Sequence, residues 1–235
     1  MKRILLGLLW LTACTGTPDT DTETDTDTDT DTNVDPLDGQ GVLSGECGEL
    51  GPEEFDSSDS FFFRNTLTFE EPLDEENLSE GGEKVLNDGN LGGSSIWSEV
   101  FSFEVLYRCE LATLEKTEAE IDYNDPGGKK TDLLVEIDGY AVGVSVTRAY
   151  AWPPEEPYTL EQATALLEDK LADIPLSTAN VSSEDMWTRQ ILHVLAYTPE
   201  HASRIQESYE SLSSEIKGDT ILFVTETEGD DAFMY

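Results

Sequence analysis

The chain has 235 residues, 51 acidic and 13 basic side chains and a formal charge of −38. That charge excludes a protein that holds DNA or RNA by bulk electrostatics, because a polyanion repels phosphate. Apolar residues make up 37%, below the usual ~45–50% of globular chains, and one N-terminal stretch without a hydrophobic face accounts for part of the deficit.

Lys2 and Arg3 precede an apolar run, Ile4 to Leu11, interrupted only by Gly7. The run is too short to span a bilayer, which takes ~20 residues, and fits the apolar region of a secretory signal. Leu11-Thr12-Ala13-Cys14 follows and resembles a bacterial lipobox. The resemblance implies cleavage after residue 13, acylation of Cys14 by diacylglycerol and palmitate-type chains, and a bilayer as partner. Thr15 stands where an inner-membrane retention Asp would be, so the expected location is the cell envelope, outer membrane before inner. From Asp19 to Thr32 acid and Thr alternate seven times. Like charges repel and no apolar face exists to bury, so residues 14–40 are expected to be a disordered, low-complexity tether. Residues 40–235 still carry −31 by side-chain count, and a solvated acidic surface is the plain explanation. With Cys14 lipidated, Cys47 and Cys109 remain, and in an oxidising compartment a disulfide between them is the economical expectation.

Residues 41–95 are rich in Gly, Ser and acids and are expected to be irregular, with Phe61–Phe63 and Leu67–Phe69 as a short hairpin or apolar plug. Residues 96–235 are expected to form an α/β domain. Ile96, Val100, Phe103 and Leu106-Tyr107 recur at helical spacing and predict a helix over 95–110, capped by Ser95 or Ser98. Lys116 to Tyr123, Thr131 to Asp138 and Tyr140 to Thr147 alternate as strands, with a hairpin at Asp138-Gly139. Thr159 with Gln162 three residues on makes a capping box for a helix whose stripe is Leu160, Ala163, Leu166-Leu167 and Leu171. A further helix is expected from Ser182 or Ser183 through Tyr197, another over 200–216, and a short buried strand from Thr220 to Thr225.

The order helix, three strands, helices, strand is similar to the core of the PD-(D/E)XK nuclease superfamily. That resemblance implies a restriction-endonuclease-like fold with a three-stranded meander. In that superfamily a helix supplies a Glu, the second strand opens on an Asp, and the third carries Glu-x-Lys. The matching positions are Glu104, Asp132 and Ser145-Val146-Thr147, thirteen residues after Asp132. Ser145 replaces the carboxylate and Thr147 the Lys; Arg148 is adjacent but on the other strand face. Mg²⁺ or Mn²⁺ is the implied cofactor, with Glu104 and Asp132 as remaining ligands. Gln190 and His193, one helical turn apart in the expected helix, are candidates for a pocket wall with Ser145, Thr147 and Arg148. A Ser145–His193–Asp132 hydrolase lacks the Gly-x-Ser-x-Gly elbow. Residues 100–227, above all Lys129 to Tyr150 and Trp187 to His193, also resemble the family of the slime-mould AAC-rich mRNA clone protein and its fungal relatives. That resemblance implies one shared domain and no particular chemistry. The expectation is a membrane-anchored lipoprotein carrying a non-catalytic binding or interaction module, its partner an envelope protein or small ligand. The alternative is a metal-dependent phosphodiesterase or nuclease with a rearranged active site.

Overall fold

The computed structural model describes residues 40–91, 96–154 and 156–235. Cys14, the acid–Thr tether and the Ser95 cap lie outside the described residues. Among the described residues no helix is long and apolar enough to cross a membrane.

A seven-stranded mixed sheet forms the middle layer. Its strands are β1 (Val42–Gly45), β2 (Phe61–Phe69), β3 (Thr113–Thr117), β4 (Leu133–Ile137), β5 (Tyr140–Ala149), β6 (Arg189–Ala196) and β7 (Ile221–Gly229). Their spatial order is β1-β2-β7-β6-β5-β4-β3. β3, β4 and β5 form an antiparallel meander. Its tight turn at Asp138-Gly139 takes positive φ at both residues, 49° and 81°, as expected for an Asp-Gly hairpin. β6 then joins β5 in parallel, and β7 joins β6 in parallel. These connections run through α4 (Leu160–Asn180) and through α5 (Pro199–Ser211) with α6 (Ser214–Lys217), while the short α1 (Pro52–Asp56) lies between β1 and β2. The Thr159–Gln162 capping box opens α4 as expected.

One face of the sheet packs on α3 (Ile96–Glu110) through Val135, Val144, Ile191 and Phe223 against Phe101, Phe103 and Val105. The other face packs Leu192, Val194, Leu222 and Val224 against α4 and α5 through Leu167, Leu171 and Ile205. Because α3 is also covered from outside by α2 (Glu80–Asp88) and the β1 segment, nearly every side of it is buried. The helices come very close: a Cβ on Gly82 would stand 2.0 Å from Glu104 Oε1, so any larger residue there would have to displace the Glu104 carboxylate.

The sheet corrects several expectations. The helix expected over 182–197 is a loop followed by β6, all eight residues of which are buried. A strand buried on both faces reads as a continuous apolar run with no alternation, and periodicity alone cannot separate it from a buried helix. Residues 41–95 are not an irregular annex, because β1 and β2 extend the same sheet, with β2 parallel to β7 along nine residue pairs. The Phe-rich run forms one strand that feeds both cores, Phe61 and Phe63 on the α3 side and Phe62 on the other. The first meander strand is Thr113–Thr117 and not Lys116–Tyr123; a bulge between Leu114 and Lys116 shifts its register. The segment beyond it leaves the ladder and meets Val181 through an isolated bridge at Tyr123, an Asn124 Nδ2 donation to the Val181 carbonyl at 2.9 Å and packing with Ile121. The final strand is longer than expected and lies beyond β6, and 200–216 divides into α5 and α6. The chain is thus mixed α/β, and Cys47 and Cys109 are disulfide-bonded as expected.

Candidate functional site

The last paired residues of β3 and β4 are Thr117 and Leu133. Continuing the antiparallel register one step places Glu118 opposite Asp132, where directly opposed side chains lie ~4.5–5.5 Å apart at Cβ. Glu99, from the first turn of α3, reaches the same point. One carboxylate oxygen from each of Glu99, Glu118 and Asp132 lies within 4.8 Å of the others. Glu99 is buried, and Glu118 and Asp132 are half-buried.

Neighbouring donors fix one oxygen of each group. Asn90 Nδ2 donates to Glu99 Oε1 at 3.1 Å, the Leu91 amide to Glu118 Oε2 at 2.9 Å, and the Val146 amide to Asp132 Oδ2 at 2.6 Å. Burial, reinforced by the charges of Asp132 and Glu118, pushes the Glu99 carboxyl up to about 8. Burial also pushes Asp132 up to about 7; the Glu118 charge adds to this, while the Val146 amide and the Lys170 ammonium on α4 oppose it. Two acids therefore titrate near neutrality in one small volume. An all-oxygen, anionic donor set of this kind suits a hard divalent cation such as Mg²⁺ or Mn²⁺. Each of the donors named above takes up one acceptor position, and the three carboxylates keep further lone pairs that could hold an ion.

Of the residues expected to form the site, only Asp132 is in it. Glu104 lies five residues after Glu99, about 140° around the helix at 100° per residue. It accepts the Ser79 amide at 2.8 Å and the Ser79 hydroxyl at 2.7 Å at the start of α2. Glu104 is thus a helix-docking carboxylate and not a partner of Asp132. Ser145 and Gln190 do meet, Gln190 Nε2 donating to Ser145 Oγ at 2.9 Å and to Thr131 Oγ1 at 3.0 Å. Gln190 Oε1 accepts from Ser177 and Thr178 of α4, which consumes the amide in a polar cross-brace. Thr147 is half-buried on the strand face that Ser145 and Ala149 share. Arg148 points the other way and donates to the Met234 carbonyl at 2.8 Å.

His193 is on β6, and three residues along a strand put it on the opposite face from Gln190. Its Nδ1 hydrogen-bonds Ser102 Oγ and its Nε2 hydrogen-bonds Thr225 Oγ1, both at 2.8 Å. Burial pushes it down to about 3, so it is a neutral core histidine. Ser145 pairs in register with Leu192, and it is Val146 that pairs with His193. The Ser145–His193–Asp132 triad is therefore ruled out by geometry.

Glu99, Glu118 and Lys170 were not expected in the site. Glu99 carried a signal, since it shares a helix with Glu104 and only the rotational phase separates them. Glu118 becomes visible once β3 is placed in register with β4. Lys170 sits on a crossover helix, and sequence spacing does not place it beside Asp132.

No family model and no solved structure matches the chain. The chain is similar to the AAC-rich mRNA clone AAC4 protein of Dictyostelium discoideum, at 39% identity over 153 residues. The similarity covers 63% of this chain and 22% of that protein, so the chain spans about a fifth of the relative's length.

Proposed function

We propose that the chain is a divalent-cation-dependent phosphodiester hydrolase on a restriction-endonuclease-like core, with its carboxylate set rearranged to Glu99, Glu118 and Asp132. The observation that carries this is the convergence of three carboxylates at the open end of the β3–β4–β5 meander. The connectivity α3, β3-β4-β5, α4, β6 supports the fold resemblance, with β6 parallel to β5. The attacked group is itself anionic, and a bound Mg²⁺ or Mn²⁺ would neutralise developing charge and acidify a water. The protein's part is positional. The amides of Leu91 and Val146 and the Asn90 side chain aim the carboxylates, and Lys170 supplies the positive charge that Thr147 cannot.

The test incubates the full chain with Mn²⁺ or Mg²⁺ and bis(p-nitrophenyl) phosphate, then with single- and double-stranded oligonucleotides. Cleavage that disappears in Asp132→Asn and in Glu99→Gln is the expected result. No cleavage with either ion, together with no calorimetric metal signal, overturns it. That outcome would leave the second reading, a non-catalytic binding module for an envelope protein or small ligand. What favours the second reading is that Ser145 and Thr147 carry neither the carboxylate nor the lysine of the family pattern.

The location goes with either reading: a lipid-anchored envelope protein held through Cys14. Its support is the Leu11-Thr12-Ala13-Cys14 sequence behind an apolar run. Radiolabelled palmitate that labels the chain, and no longer does so in Cys14→Ser, is the expected outcome; label retained in the variant overturns the anchor.

A further inference from the structure

A cavity of about 670 Å³ opens between α4, the start of β6 and the α6–β7 turn. Its size falls within the ~300–1,000 Å³ of small-molecule sites. One wall is a stripe of α4 at positions 168, 171, 172, 175, 178 and 179, the spacing of a single helix face. Twelve residues of helix make the cleft about 16–18 Å long at ~1.5 Å per residue. Leu171, Pro175, Ile216 and Trp187 give it an apolar body. The indole Nε1 of Trp187 donates to Thr178 Oγ1 at 3.1 Å, which fixes the ring.

The rim decides what fits. Its two cationic side chains are already spent. The Arg189 guanidinium donates to the carbonyls of Glu54, Ser57, Asp59 and Asp219. The Lys217 ammonium lies over the Tyr209 ring, 4.5 Å from its centroid. Three lining carboxylates are exposed and in no salt bridge among the described residues: Asp219, whose charge acts on Arg189, and Glu168 and Glu215 on the rim. Pro175 lies inside α4 and has no amide hydrogen to give the Leu171 carbonyl one turn back. The cavity thus offers apolar walls, acceptors and negative charge, and its two cationic groups are held elsewhere.

We propose that this cavity binds a small amphipathic cation, an elongated apolar body carrying an ammonium group. The body lies along Leu171, Pro175 and Trp187, and the ammonium is drawn to Glu168 and Glu215. The site is separate from the Glu99–Glu118–Asp132 cluster: none of those three residues lines it.

The test titrates the full chain by calorimetry with three probes of one shape: naphthylbutylammonium, naphthylbutanol and naphthylbutyrate. Coulomb attraction to two rim carboxylates makes the ammonium bind about tenfold tighter than the carboxylate, with the alcohol between. Glu168→Gln and Glu215→Gln each weaken the ammonium about threefold and leave the alcohol unchanged. Ala172 is exposed on the cavity wall, so Ala172→Trp fills the cleft without entering the core, and all binding is lost. Equal affinity for the three probes, preference for the carboxylate, or no binding at the solubility limit overturns the proposal. Unchanged ammonium binding in Ala172→Trp also overturns it, because the cation would then be held elsewhere on an acidic surface.

Discussion

The two halves of α3 use the same chemistry to opposite ends. In its C-terminal half each buried charged group is held by hydrogen bonds from a neighbouring segment, although one Glu104 oxygen and Arg108 Nε are left without a partner among the described residues. Glu104 receives both donors of Ser79. Arg108 donates to the carbonyls of Gln40 and Gly41, each at 2.8 Å. Glu110 accepts the amides of Gly48 and Leu50, each at 3.0 Å, beside the Cys47–Cys109 disulfide. In the N-terminal half Glu99 meets two other acids. A buried carboxylate is tolerable where amides and hydroxyls replace its water, and costly where like charges face it. The first arrangement fastens residues 40–50 and α2 to the core. In the second, like charges add to burial in favouring bound protons or a cation, and this distinguishes a site from a fastening.

The largest effect that would test the contrast is at the disulfide. It closes a loop of 62 residues, for which the chain-entropy model gives about 4 kcal/mol. Urea unfolding with and without reductant, and of the Cys47→Ser, Cys109→Ser double variant, should show a loss of that order. A loss below about 1 kcal/mol would mean that the polar fastenings hold residues 40–50 without it. Next comes Glu104→Ala. It strands the Ser79 amide and hydroxyl and leaves Arg108 without its nearest negative charge, which should cost about 3 kcal/mol in the same assay.

Glu99→Gln should do the reverse at alkaline pH. The folded-state values of Glu99 and Asp132 are raised, to about 8 and about 7. The folded form therefore binds protons more tightly than the unfolded one. The stabilisation is complete below the ordinary carboxylate range near pH 4 and is lost as pH rises through 7 to 8. In the presence of a chelator the melting temperature should fall between pH 5 and 8.5. Glu99→Gln should flatten that fall and stabilise the protein by about 2 kcal/mol at pH 8.5. Millimolar Mg²⁺ or Mn²⁺ should restore the wild-type melting temperature at pH 8.5 and do little for the variant. If Glu99→Gln were as damaging as Glu104→Ala, the two halves of the helix would not differ.

Much of the framework was visible in the sequence, and the reasons differ by element. The β4–β5 hairpin was readable because Leu133, Val135 and Ile137 alternate and Asp138-Gly139 is a specific turn. The start of α4 was readable because a capping box is a local device. β6 was not, since Gln190-Ile191-Leu192-His193-Val194-Leu195 is buried on both faces and carries no period of two. That misassignment put Gln190 and His193 on one helix face and joined two polar networks that the sheet keeps apart. β2 was hidden because its meaning depends on β7, some 160 residues away. In the site, Asp132 was legible through the nuclease-superfamily resemblance, whose pattern expects an Asp where the second meander strand opens. Glu99 and Glu118 required helix phase and strand register, which only the assembled sheet supplies.

The smallest effect in stability is the one that separates function from fastening most finely. Lys170 is half-buried on α4 and carries the positive charge that lowers the Asp132 carboxyl against burial and Glu118. Lys170→Met keeps the aliphatic stem and removes the charge, and as a change near the surface it should alter stability by no more than about 0.5 kcal/mol. Asp132 should then hold its proton to higher pH. Since a cation binds only the ionised carboxylates, the pH midpoint for calorimetric Mn²⁺ binding should move upward, and any phosphodiester cleavage should follow the same displaced profile. A merely structural lysine would change the melting temperature and leave the midpoint in place. An unmoved midpoint would therefore remove Lys170 from the site while leaving the three carboxylates in it.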